Sequence, residues 1–186
     1  MAKKYDVIIV GGGPAGIFAA LELSKASDLK ILLIEKGKDI DGRQCPVRDM
    51  GNPCISCSPC SLVCGLGGAG AFSDGKLTLT SRVGGRLSDY LGESQTEALI
   101  GYADNIYLGF GAPDKLYGTG KKVGPLREKA ELAGLKLVPV PVRHLGTDHC
   151  RLVLKAMWDY LSPRIEYRLE TEACNISVSG GKVRGV

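Results

Sequence analysis

The feature that most constrains this chain is a hydrophobic run that ends directly in glycines. YDVIIV (Tyr5–Val10) is short, β-branched and apolar, and GGGPAG (Gly11–Gly16) follows without a gap. The run reads as a fully buried parallel strand. IFAALELSKAS, up to Ser27, then carries helical spacing, with Ile17, Ala20, Leu21 and Leu23 apolar and Glu22 and Lys25 polar. LKILLIEKG (Leu29–Gly37) reads as a second buried strand that ends in an acid. Strand, turn, helix and strand within forty residues predict a βαβ unit, and with it an α/β, Rossmann-like fold with a parallel sheet.

Gly11, Gly13 and Gly16 satisfy G-x-G-x-x-G. In such a motif the first glycine permits the tight turn, the second lets backbone approach a pyrophosphate, and the third lets helix and sheet pack closely. Pro14 suits the first helical turn, where a missing N–H loses no intrahelical bond. The helix start offers free N–H groups and partial positive charge to phosphates. Glu35 follows Gly11 by 24 residues. That spacing suits a carboxylate accepting from a ribose 2′-hydroxyl, and a carboxylate there repels a 2′-phosphate, which argues against NADP at this site. The motif alone leaves FAD and NAD open.

Seven cysteines fall at 45, 54, 57, 60, 64, 150 and 174. Cys54, Cys57, Cys60 and Cys64 have the C-x2-C-x2-C-x3-C spacing of a bacterial iron–sulfur run, with Gly65 where such runs carry proline. One cluster would need all four thiolates, or a fourth ligand from Cys45 or Cys150. Zinc would accept four thiolates directly. The third reading is a set of buried or redox-active thiols beside a cofactor. Cys150 and Cys174 read as small buried hydrophobes. His144 and His149 have poor metal spacing and read as ordinary histidines, and Trp158 reads as core.

LGGAGAFSDGKLTLT comes next. Gly70, Gly75 and Lys76 nearly form a triphosphate loop, but Leu77 lacks the hydroxyl that magnesium needs, so that reading fails. Asp74-Gly75 between AFS and LTLT signals a two-residue hairpin. Gly67, Gly68 and Gly70 would set backbone N–H groups against a cofactor, with Lys76 as a nearby cation.

Further along, Ser94 and Glu97 form a capping box for a helix from about Gln95. Residues 82–92 and 111–120 read as loops, and Pro125–Leu135 as a short helix. The prolines of LKLVPVPVRHL demote it to an edge or non-strand segment. A helix runs from Thr147 or Asp148 to Leu161, and RIEYRLETEACNISV and KVRGV are strands around a Ser-Gly-Gly turn.

Composition removes other classes. The net charge is +4 with the basic residues scattered, and aromatics are only 6%, so no nucleic-acid face stands out. Lys3 and Lys4 before an apolar run imitate a signal peptide, but Asp6 precedes the run and GGGP breaks it. The run is also too short for a membrane span. Close cysteine spacing without an export signal predicts a reducing, cytoplasmic setting and no membrane partner.

DVIIVGGGPAG, LLIEKG, CPVRDMGNPCISCSPC and GGAGAFSDGKLTLT together resemble the uncharacterised FAD-dependent dehydrogenases, within the flavoprotein superfamily that includes glutathione reductase. HLGTD and GGKVRGV also fit that likeness. The resemblance implies FAD in the first site, its pyrophosphate on Gly11, Gly13, Pro14, Ala15 and Gly16, and its ribose on Glu35 beside Lys36. It implies that Gly67, Gly68, Gly70, Ser73, Asp74 and Lys76 lie along the flavin, and that backbone near Ala173 touches adenine. It supplies no catalytic residue and no substrate, and leaves NAD(P)H as a candidate electron donor.

Proteins of that kind are much longer, so the resemblance also implies that residues 1–186 are the N-terminal part of one FAD-binding domain. In that reading 1–40 is the βαβ motif, 45–80 the Cys-rich and Gly-rich cofactor loop, and 95–186 helices and later strands, hairpin included. The expected function is the FAD-binding portion of an oxidoreductase. The alternatives are an FAD plus iron–sulfur electron-transfer module, a non-catalytic nucleotide-binding remnant, and an NAD-only dehydrogenase.

Overall fold

The computed structural model describes residues 4–26, 28–48 and 50–186; Lys3 of the signal-like start and Ser27 of the first helical run lie outside them. The elements, in chain order, are β1 (Val7–Val10), α1 (Pro14–Ala26), β2 (Ile31–Ile34), a 3-10 helix (Gly68–Phe72), β3 (Lys76–Thr78), α2 (Ser88–Gly109), β4 (Leu116–Tyr117), α3 (Val123–Leu132), β5 (Val142–His144), α4 (Thr147–Leu161), β6 (Glu166–Arg168), β7 (Ser177–Ser179) and β8 (Lys182–Gly185). They form two compact units. One comprises residues 1–73 and 154–186, and the other residues 74–153.

The first unit holds a parallel sheet in the order β1-β2-β6. All four residues of β2 are buried, which is why this strand is a continuous apolar run rather than an alternating one. Ile17, Ala20 and Leu21 of α1 are fully buried, as the spacing predicted, and Met157, Leu161 and Ile165 add to the core. Trp158, expected in the core, is also buried and meets Tyr167 edge-on, with ring centroids 4.8 Å apart. β1 departs from expectation. It is half-buried, and Val10 is 56% exposed, because β1 is the outer strand of this sheet and pairs on one side only among the described residues.

The strand expected from Arg164 through Val178 is divided. Residues 169–176 lie outside any strand, although Glu170 and Thr171 still donate to the carbonyls of Gly37 and Glu35. The predicted Ser-Gly-Gly turn is present, with Gly180 and Gly181 at φ 59° and 71° between β7 and β8. Two successive positive φ values match the right-handed twist of a tight hairpin. Cys174, expected to be buried, is exposed.

The second unit holds an antiparallel sheet in the order β3-β5-β4. The hairpin expected at Asp74-Gly75 does not form. The segment before it is the 3-10 helix, and β3 pairs with β5, which lies some seventy residues later. β5 is therefore central, against the expectation from its prolines. Pro139 and Pro141 precede the strand, so no ladder N–H is lost, and the Pro141 carbonyl accepts from Leu79 at 2.9 Å.

α2 consists of two helical segments joined at Gly92, which is non-helical at φ 75°, so the long segment starts within two residues of the expected Gln95. Ser94 is thus inside the helix and not a cap, and Glu97 accepts from Thr80 and Ser81. α3 starts two residues earlier than expected, and β4 lies within the expected loop 111–120. α4 matches its predicted range. No helix among the described residues is long and apolar enough to cross a membrane.

Candidate functional site: a cleft at the glycine turn

A cleft of about 480 Å³ opens in the first unit. Its floor is the end of β1 and the glycine turn, through Val10, Gly11 and Gly13. One wall comes from the end of β2, through Glu35 and Lys36, and another from the cysteine–glycine loop, through Val63, Cys64, Gly65 and Gly68. Thr171, Glu172 and Ala173 complete it.

The turn is built as the sequence predicts. Gly11 donates to the Ile34 carbonyl at 2.8 Å, which ties the turn to β2. A side chain at Gly16 would lie 1.9 Å from the Gly11 carbonyl, so only glycine lets α1 start this close to the strand. Beside Gly13, by contrast, the only neighbour among the described residues within reach of an added Cβ is the Gly68 Cα at 4.0 Å, and beside Gly11 these residues supply none. The backbone is therefore bare where a ligand would lie against it. The N–H groups in the first turn of a helix such as α1 have no intrahelical acceptor, which makes them donors for an anion.

Glu35 is 6% exposed, and its carboxylate organises the cleft. One oxygen, Oε2, accepts from the Gly12 amide at 2.7 Å. The other, Oε1, accepts from the Gly37 amide at 2.8 Å and the Gly65 amide at 2.9 Å. A carboxylate offers about four lone-pair positions in all, so Oε1 is filled and Oε2 retains room for one more donor. The residue predicted as a ribose acceptor also fastens the glycine turn to the loop opposite.

That loop differs from expectation. The Gly67 amide donates to the Gly12 carbonyl at 2.8 Å, and the Gly68 amide to the Gly65 carbonyl at 2.9 Å. These two N–H groups serve the protein itself, because the two glycine segments pack backbone to backbone. Gly68 still lines the cleft, whereas the Gly70 carbonyl accepts from the Ser73 hydroxyl and amide. Asp74 and Lys76 belong to the second unit and form an exposed ion pair at 2.6 Å. The hydrogen bond from Lys76 holds the Asp74 carboxyl below its ordinary value.

Among the described residues no three Cys, His, Asp or Glu side chains converge to hold an ion. Cys54 and Cys57 are exposed, and the Cys54 sulfur accepts from the Ser56 amide at 3.4 Å. Cys60 opens a helical turn in which the Cys64 amide donates to the Cys60 carbonyl at 2.8 Å. Cys45 is half-buried and Cys150 is buried in the second unit, and neither completes a ligand set. Cys64 is the member of the run that lines the cleft.

Sequence reasoning missed Arg43, which is 1% exposed. Its guanidinium donates to the carbonyls of Ser61, Leu62, Leu66 and Gly68, and it lies 4.8 Å from the Phe72 ring centroid. No periodicity marks it, and arginine is rarely so buried. Thr171 and Glu172 were also missed, since only Ala173 was singled out in that segment.

Comparison with known proteins agrees with this geometry. Residues 5–52 match the pyridine nucleotide-disulphide oxidoreductase family. An uncharacterised protein of Clostridium beijerinckii is 45% identical over 75 residues, which is 40% of this chain and 14% of that one. Thioredoxin reductase of Listeria monocytogenes is 63% identical over 35 residues, covering 19% of this chain and 11% of the enzyme. The mitochondrial electron transfer flavoprotein-ubiquinone oxidoreductase of Arabidopsis thaliana is 46% identical over 44 residues, 21% of this chain and 7% of the enzyme. The chain thus spans a small part of the length of the curated relatives it matches.

Among solved structures, L-amino acid deaminase from Proteus vulgaris superimposes with a TM-score of 0.51 over 98% of this chain and 44% of its own, at 12% identity, which is a likeness of fold alone. The likeness to the pyridine nucleotide-disulphide oxidoreductases thus covers residues 5–52, which hold β1, the glycine turn, α1 and β2.

Proposed function

We propose that the cleft binds FAD, and that the chain is the FAD-binding portion of a flavin-dependent oxidoreductase. The observation that supports this best is the bare backbone at Gly11 and Gly13 beside a buried Glu35 with one acceptor position left on Oε2. In this reading the start of α1 takes the pyrophosphate through Gly13, Ala15 and Gly16, while Pro14 begins the helix without losing an internal bond. Glu35 Oε2 accepts one ribose hydroxyl. Lys36 and the backbone around Ala173, which line the same cleft, bound the adenosine end. The flavin, once bound, supplies the two-electron chemistry, and the protein's part is to hold and orient it. NAD(P)H is the proposed electron donor.

The test is a visible spectrum of the purified protein, followed by titration with FAD and, separately, with NADH. The expected result is a flavin spectrum, or quenching of added FAD fluorescence at one equivalent. A colourless protein that ignores FAD and binds NADH would replace this reading with that of a nicotinamide-binding domain.

A further inference from the structure

The wall of the cleft opposite the glycine turn is a nine-residue loop, Cys60–Gly68, with little regular structure. One buried side chain crosses it. Arg43 reaches the start of the loop through Nε to the Ser61 carbonyl (2.9 Å) and Nη2 to the Leu62 carbonyl (2.8 Å). The same guanidinium reaches the end through Nη1 to the carbonyls of Leu66 (2.6 Å) and Gly68 (2.8 Å).

The carbonyls of Ser61 and Leu62 close the short helical turn that begins at Cys60, a place where a cation is favoured. The loop bends back at Gly65, where φ is 117° and an added Cβ would meet the Arg43 Cδ at 2.6 Å and the Lys38 carbonyl at 2.7 Å. So the arginine lies inside the bend, where the positive φ and the Lys38 carbonyl already require glycine. From the other side, Glu35 holds Gly65, and the Gly12 carbonyl holds Gly67.

We propose that Arg43 is the positioning residue for the cofactor-facing wall: by tying both ends of the Cys60–Gly68 loop together, it preforms the cleft so that ligand binding does not have to order nine residues. This rests on the FAD reading for its ligand, but not for the loop itself. The physical case is one of preorganisation. A planar fork with five donors in fixed directions spans carbonyls that a flexible ammonium cannot reach at once. A wall ordered before binding removes its ordering entropy from the cost of binding.

The test compares Arg43→Lys, which keeps the charge and loses the fork, with the unaltered protein. Two quantities are read: hydrogen exchange of the loop amides of residues 65–68 without any ligand, and the dissociation constant for FAD. The expected result is exchange faster by about tenfold or more in the loop, with FAD bound about tenfold more weakly. Unchanged exchange overturns the proposal. Faster exchange with unchanged FAD affinity also overturns it, because the wall would then not position the cofactor. If the unaltered protein binds no FAD, the FAD reading fails, and loop exchange still decides the role of Arg43. Should Arg43→Lys not fold, Phe72→Leu, which removes the ring beside the guanidinium, is measured in the same way and must move both quantities in the same direction.

Discussion

The two units are stabilised internally by different means. In the first, the four residues of β2, three residues of α1 and the region around Met157 and Leu161 are buried apolar side chains. In the second, α3 buries no residue, β4 is exposed, and α2 buries only Thr96 and Ile106 in its 22 residues. The second unit buries fewer apolar residues, Ile106, Ala112, Leu145, Cys150 and Val153, and adds a few polar cross-links. Arg143 and Asp104, 4% and 12% exposed, form a two-pronged ion pair at 2.5 and 2.7 Å, and Arg143 also donates to the Pro113 carbonyl. Glu97 gathers Thr80 and Ser81 with one oxygen. Apolar burial is non-directional and tolerates small changes, whereas a polar cross-link fails as a unit when one partner is lost.

The contrast predicts its largest effect in the second unit. Asp104→Ala leaves a buried guanidinium without its carboxylate and should destabilise that unit by about 3–5 kcal/mol. Denaturant unfolding followed by hydrogen exchange over residues 74–153 would show it. A loss below about 1 kcal/mol, the worth of an exposed pair, would mean that the cross-link does not hold this unit together. The hydrogen bond to Asp104 raises the Arg143 pKa above its already high ordinary value. The stability this adds is fully present below the unfolded pKa and is lost only as pH rises through the folded one, so Arg143 makes no pH dependence near neutrality.

Glycine substitutions sharpen the comparison. Gly16→Ala in the first unit should cost about 1–3 kcal/mol through its collision with the Gly11 carbonyl, and should abolish cofactor binding. Gly101→Ala on α2 in the second unit meets nothing within 4 Å and should stabilise by about 0.4–1 kcal/mol. Thermal melts of both variants check this. Equal effects of the same sign would erase the distinction between a glycine that packing requires and one it does not.

The smallest effect is at Glu97. Its carboxyl is held below the ordinary value first by the Ser81 amide and then by the Ser81 hydroxyl. A depressed folded pKa means that the contribution is present above the unfolded value and fades as pH falls through the folded one. Titrating the Glu97 carboxyl and the Ser81 amide by NMR should show both moving together at acidic pH. An ordinary glutamate titration, with Ser81 silent, would remove this cross-link from the account. Glu97 is exposed, so the effect on global stability is slight.

Much of the first unit is legible in the order of its residues. β1, α1 and β2 follow from local apolar runs, and Gly11, Gly13, Gly16 and Glu35 from a spacing whose geometry is local. What misleads is also local. Asp74-Gly75 has the composition of a hairpin turn, but β3 gains more by pairing with β5. Ser94 and Glu97 have capping-box spacing, but Ser81 and Thr80 take the carboxylate.

By itself, the sequence determined which segments bury apolar surface and where backbone must come close, because side-chain period and the missing Cβ of glycine act within a few residues. Only the tertiary structure decided which long-range partners met. Glu35 reaches Gly65 across 30 positions and Arg43 reaches Gly68 across 25. A hydrogen bond between such groups depends on where the chain brings them in space, and the identity of the residues at its two ends does not reveal that.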